Sequence, residues 1–135
     1  MQNGLYIVAT PIGNLGDLSP RAAETLANAD VIACEDTRIA KKLFALLNIS
    51  TAGKKFIVYQ NYNEEDEAQN IINLAVNDGK SIALVSDAGS PLISDPGYRL
   101  VRKAREQNVF VTVLPGCCAL VCALQLSGLP TNRFL

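Results

Sequence analysis

The stretch Ile82-Ala-Leu-Val-Ser86 followed by Asp87-Ala-Gly-Ser-Pro-Leu-Ile-Ser-Asp-Pro-Gly97 decides how this chain is read. Its first five residues are almost wholly apolar and lack the in-out alternation of a half-solvated strand, as a parallel strand buried on both faces requires. The eleven residues from Asp87 to Gly97 are long for a strand-to-helix connection, and ordered loops of that length usually carry function. Asp95-Pro96 places a capping side chain before a proline suited to a first helical position, so a helix is expected to start there.

The same step from a short β-rich run to a segment of helical period recurs along the chain. Leu5 to Ala9, Val31 to Glu35, Phe56 to Gln60, Ile82 to Ser86 and Val109 to Leu114 read as strands. Five such alternations predict an α/β domain: an open, mostly parallel five-stranded sheet with helices on both faces. Ser19-Pro20 marks one helix start. Asn63 is expected to cap a third helix whose first turn is Glu64-Glu-Asp-Glu67, acids at the positive end of the dipole, with Gly79 just past its end.

The uncharged run Val109 to Leu129 is long enough to raise a membrane-spanning helix, but Pro115-Gly116 divides it. It is expected to form a buried strand followed by a buried helix. Residues 1–135 read as one domain, with no secretory signal after Met1. The abrupt ending of Gly128 to Leu135 in a new apolar stretch suggests a fragment.

Composition removes several chemistries. With no histidine, Ser-His-Asp and Cys-His pairs and histidine metal sites are excluded. The net charge of -1 demands neither a nucleic acid nor a membrane. Cys34, Cys117, Cys118 and Cys122 lack metal or disulfide spacing and read as reduced, buried small hydrophobes of a cytoplasmic protein; no metal site is expected. Gly79-Lys80-Ser81 precedes a strand and lacks the first glycine of a phosphate-binding loop, and the segment after the first strand lacks the spaced glycines of a dinucleotide fingerprint. Ser90 has neither the elbow glycines nor a base to make it a nucleophile.

In an open α/β sheet the ligand crevice lies at the carboxyl ends of the strands, and there the unusual residues gather: Thr10-Pro-Ile-Gly-Asn14, Asp36-Thr-Arg38, Asp87-Ala-Gly-Ser-Pro91 and Pro115-Gly-Cys-Cys-Ala119. Asp87 offers a carboxylate to a ribose hydroxyl or an amine. Asp36 or Thr37 suits a helix cap while Arg38 can reach into the crevice, though a plain cap and ion pair explains the trio equally well.

In order along the chain, Leu5-Tyr-Ile-Val-Ala-Thr-Pro-Ile-Gly-Asn-Leu-Gly-Asp17, Glu35-Asp-Thr-Arg38, Ala83 to Tyr98, Leu114-Pro-Gly-Cys-Cys-Ala119 and Gly128-Leu-Pro-Thr-Asn-Arg-Phe134 resemble the tetrapyrrole methylase superfamily. Within it they look most like the branch that methylates the ribose 2′-oxygen of a cytidine in 16S ribosomal RNA. Cys117 stands where that branch would be expected to carry proline.

The resemblance implies a two-domain methyltransferase with S-adenosylmethionine between its halves, of which this chain is the amino-terminal one. It implies cofactor contacts from Pro11, Ile12, Asp87, Ala88, Gly89, Ser90, Cys118 and Ala119. Ribosomal RNA of the small subunit is the implied substrate, with no membrane partner and a homodimer at full length. Glu35 and Asp36 are then candidates for the base or for substrate positioning, and Arg38 for a place near the RNA phosphate. A corrin-precursor or other small-molecule methyltransferase, and a non-enzymatic ligand-binding α/β module, remain the alternative readings.

Overall fold

A computed structural model describes residues 1–93 and 96–135. The strands are β1 (Gly4–Val8), β2 (Val31–Cys34), β3 (Lys55–Val58), β4 (Ser81–Leu84) and β5 (Val111–Leu114). The helices are α1 (Pro20–Asn28), α2 (Thr37–Leu46), α3 (Glu64–Val76), α4 (Tyr98–Glu106) and α5 (Ala119–Leu126). All pairings are parallel and the strand order is β3-β2-β4-β1-β5.

That order explains the two helical layers. The chain steps from β1 to β2 to β3 in one direction, then reverses from β3 to β4 to β5. Because parallel crossovers are right-handed, reversing direction sends the connecting helices to the other face. One face packs Tyr6, Val8, Ile32, Cys34 and Ala83 against Ala22 and Leu26 of α1 and Ala40 and Phe44 of α2. The other packs Leu5, Val31, Ala33, Ile82 and Leu84 against Ala68, Ile71, Ile72 and Ala75 of α3 and Leu100 and Ala104 of α4. Neighbouring strand residues alternate between these cores, the two-residue period of a pleated strand.

The caps divide into those sequence predicts and those it does not. Ser19 accepts a hydrogen bond from the Ala22 amide at 3.1 Å, so α1 begins as its Ser-Pro pair dictates. Asn63 occupies the first position before α3 but caps nothing there: its side chain accepts from the Gln60 amide at 2.7 Å and donates to the Val58 carbonyl at 3.2 Å. The expected start at Asp95-Pro96 is also displaced. Helix α4 starts at Tyr98 with Gly97 before it, so Pro96 precedes the helix, while Asp95 lies outside the described residues.

The expectation of a buried final strand and helix is corrected as well. Strand β5 is an edge strand, half-buried and with Val113 exposed. Helix α5 buries no residue, and Leu120, Val121 and Leu126 are exposed, the last by 88%. Apolar composition predicts that such a helix favours a covered face, yet nothing among the described residues covers it. Three of the four cysteines are corrected with it: only Cys34 is buried, Cys117 and Cys118 are half-buried and Cys122 is exposed. No described helix is long and apolar enough to cross a membrane.

Candidate functional site

Strand β4 sits between β2 and β1, and its helix α4 leaves for the opposite face from both α1 and α2. Two topological switch points therefore flank the carboxyl end of β4, the places where an open α/β sheet leaves room for a ligand. Each of them holds a hollow.

The first, between the ends of β4 and β1, has a volume of about 240 Å³ and is lined by Ile12, Ala88, Gly89, Ser90, Ile93, Cys118, Ala119 and Leu120. Backbone bonds fix its frame. The Thr10 amide donates to the Gly89 carbonyl at 2.9 Å and the Gly89 amide returns the bond to Thr10 at 3.0 Å, a two-way bridge between the loops after β1 and β4. Gly89 adopts φ +82°, where other residues are strained, and a β-carbon there would stand 3.2 Å from Ile12 Cγ2. The Ser86 hydroxyl donates to the Ala88 carbonyl at 3.0 Å, and the Ser90 hydroxyl to the Cys117 carbonyl at 2.8 Å. That last bond ties in the loop after β5. Gly116 brings this loop so near β1 that a β-carbon would lie 2.8 Å from Ala9 Cβ.

The second hollow, between the ends of β4 and β2, has a volume of about 410 Å³ and is lined by Glu35, Asp36, Gln60, Asn61, Tyr62, Asp87 and Pro96. Three acidic residues line one space. Asp36 also caps α2: its side chain accepts from the Arg38 amide at 2.9 Å, and the Arg38 guanidinium donates to the same carboxylate at 3.2 and 2.9 Å. The Arg38 contacts hold the Asp36 carboxyl below its usual range. Gln60 Nε2 donates to the Glu35 carbonyl at 2.8 Å and joins two walls of the cleft. Beneath them burial, then the Asp87 and Asp36 carboxylates, push the Cys34 thiol up to about 12.

The structure thus brings Ile12, Ala88, Gly89, Ser90, Cys118 and Ala119 together in the apolar hollow and Glu35, Asp36 and Asp87 in the acidic one. Pro11 is half-buried beside the first without lining it. Arg38 does not line the second; its side chain is 89% exposed and folds back on Asp36, the plain cap and ion pair. Gln60, Asn61 and Tyr62 carried no marker in the sequence, because they stand at a strand end without a charged or glycine-rich signature. A larger hollow, about 640 Å³, lies at the amino ends of β1 and β5, where Arg105 is the one ionisable side chain in its lining. It is remote from every loop just described and lies at the end of the sheet where such folds do not bind.

Similarity to known proteins follows these loops. The chain is 54% identical over 130 residues to a ribosomal RNA small subunit methyltransferase I of Vibrio cholerae, covering 96% of this chain and 44% of that protein. It is 49% identical over 135 residues to the protein of the same name from Rickettsia prowazekii, covering 100% and 47%. The chain therefore spans slightly less than half the length of these relatives. Its fold matches a uroporphyrin-III-C-methyltransferase from Thermus thermophilus with a TM-score of 0.68 at 23% identity, covering 98% of this chain and 56% of that one. It also matches the methyltransferase CobJ with a TM-score of 0.72 at 19% identity, over 97% and 53%. The sequence profile of the Tetrapyrrole (Corrin/Porphyrin) Methylases matches residues 4–134, so every residue named in the lining of the two hollows lies within it, and the chain belongs to that family.

Proposed function

We propose that this chain is the amino-terminal half of a methyltransferase that uses S-adenosylmethionine to methylate the ribose 2′-hydroxyl of a cytidine in small-subunit ribosomal RNA. The observation that carries this reading is the pair of adjoining hollows at the carboxyl end of β4, one apolar and one acidic, spanned by a single loop from Asp87 to Ser90. The names of the relatives from Vibrio cholerae and Rickettsia prowazekii support the acceptor.

The apolar hollow fits the cofactor: Ile12, Ala88, Gly89, Ser90, Cys118 and Ala119 form its walls, Pro11 supports their loop, and Gly89 leaves open the space that a β-carbon would fill. Asp87, at the junction, suits a ribose hydroxyl or an amine. When bound, S-adenosylmethionine supplies a methyl group on a positively charged sulfur.

The acidic cleft selects what approaches. Carboxylates of Glu35, Asp36 and Asp87 repel phosphate, so a nucleoside enters while its phosphates stay outside, nearer the exposed Arg38. Tyr62, 82% exposed on the rim, offers its ring for a base to stack upon, as single-stranded RNA is commonly held. The Arg38 contacts lower the proton affinity of Asp36, so we assign the taking of the hydroxyl proton to Glu35, which lines the same cleft. A well-placed base contributes about 10² to 10⁴ in rate, and alignment of the reacting groups up to about 7 to 11 kcal/mol.

The test is a calorimetric titration of the full-length protein with S-adenosylmethionine, followed by methyl transfer to purified small ribosomal subunits. Binding with transfer supports the reading. Transfer to a corrin precursor instead, or binding with no transfer to any acceptor, refutes it.

A further inference from the structure

The acidic run that opens α3 contains one member that behaves unlike a solvated first-turn acid. Glu64 is only 8% exposed, and a single carboxylate oxygen accepts hydrogen bonds from two amides of another element, Gly97 at 3.2 Å and Arg99 at 2.9 Å. These are orphan donors at the start of α4, whose preceding glycine has no side chain to satisfy them. Glu65 beside it pairs with the Arg99 guanidinium, a second tie between the same two helix starts.

What the tie joins is the acidic cleft. Gln60, Asn61 and Tyr62, one part of its lining, lead through Asn63 into Glu64; Pro96, another part, runs directly into Gly97. We infer that Glu64 is a positioning residue: by accepting from Gly97 and Arg99 its carboxylate holds the Pro96 wall against the Gln60–Tyr62 wall and so sets the width of the acceptor end of the site. This rests on the reading of that cleft as the acceptor site.

The cofactor end of the same loop has anchors of its own, the Thr10–Gly89 bridge and the Ser90–Cys117 bond. Loss of the Glu64 clasp therefore acts on the acceptor and spares the cofactor. Since one oxygen makes both bonds, an amide oxygen at the same reach replaces it, whereas a carboxylate one methylene shorter does not.

The experiment compares E64Q, E64D and E64A in the full-length protein, scoring kcat and KM per folded enzyme on small ribosomal subunits, the Kd for S-adenosylmethionine, and Tm. E64D and E64A are expected to lose about tenfold to a hundredfold in kcat/KM for the RNA, the scale set by an ångström of misplacement. E64Q is expected to stay near wild type, with the cofactor Kd unaltered in all three. The Gln–Asp pair decides the matter even where E64A does not fold.

Variants that lower only Tm, E64Q falling as far as E64D, or a cofactor Kd weakened in parallel would each overturn the inference. A wild-type enzyme without transfer overturns the acceptor reading and this inference with it. An active wild type with unaltered variants overturns the inference alone.

Discussion

Replacing Gly116 by alanine places a β-carbon 2.8 Å from Ala9 Cβ, against a usual carbon–carbon separation of about 3.5 to 4.0 Å. Both atoms are fixed directly to backbone, so no rotamer change relieves the contact; the loop after β5 must withdraw from β1 by roughly 0.7 to 1.2 Å, the difference between those distances. Such overpacking costs about 1 to 3 kcal/mol. The displaced residues include Cys117, which accepts the Ser90 hydroxyl bond, and Cys118, in the wall of the apolar hollow.

Urea denaturation of Gly116→Ala should report that loss, and calorimetric titration of the full-length protein a weaker affinity for S-adenosylmethionine. The paired substitution Ala9→Gly restores the missing space. Alone it costs about 0.4 to 1 kcal/mol for the backbone freedom that glycine adds to the unfolded chain and about 0.8 kcal/mol for the methyl it removes. Combined with Gly116→Ala it should recover part of the loss, with a favourable coupling of about 0.5 to 3 kcal/mol. Strictly additive single effects, or a Gly116→Ala protein as stable and as tight-binding as wild type, would refute the packing argument.

Three more outcomes follow from the same geometry. Tyr62→Ala should raise KM for the ribosomal substrate by about fivefold to 150-fold, the equivalent of about 1 to 3 kcal/mol for one stacked base, while Tyr62→Phe retains wild-type KM. Because burial raises the Cys34 thiol from 9.0 to about 12, the folded state holds more protons than the unfolded state between those values, and stability falls as pH rises through that window. Urea midpoints of Cys34→Ala measured upward from pH 9 should fall less steeply than those of wild type. Ser19→Ala should cost about 1 kcal/mol by urea denaturation through loss of the Ala22 cap, with S-adenosylmethionine affinity unaltered.

The parts of this fold that sequence displays are those set by local pattern. Five apolar runs mark five strands to within one or two residues, and Ser19-Pro20 marks α1, because burial on both faces and capping are each written in neighbouring residues. Strand order is a different matter. It emerges from long-range pairing, and with it the fact that β4 carries a crevice on each side.

Glu64 shows why part of the site was hidden. Its sequence neighbours suggest an acid serving its own helix dipole, and only the packing of α3 on α4 makes it the cap of a helix more than thirty residues later. Helix α5 fails for the converse reason: apolar composition reports a preference for burial, not whether a partner surface is present. That the loops carrying Ile12, Ala88, Gly89, Ser90, Cys118 and Ala119 meet follows from their places at the carboxyl ends of parallel strands; the amide-rich wall from Gln60 to Tyr62 carried no such marker.

The most direct test of the central claim is the identity of the modified nucleoside. After incubation of small ribosomal subunits with the full-length protein and isotopically labelled S-adenosylmethionine, digestion and mass spectrometry should place the label on 2′-O-methylcytidine, and Glu35→Gln should abolish most of it. Label on a base, label on a nucleoside other than cytidine, or full labelling by Glu35→Gln would contradict the assignment of the acidic cleft as the place where the ribose hydroxyl loses its proton.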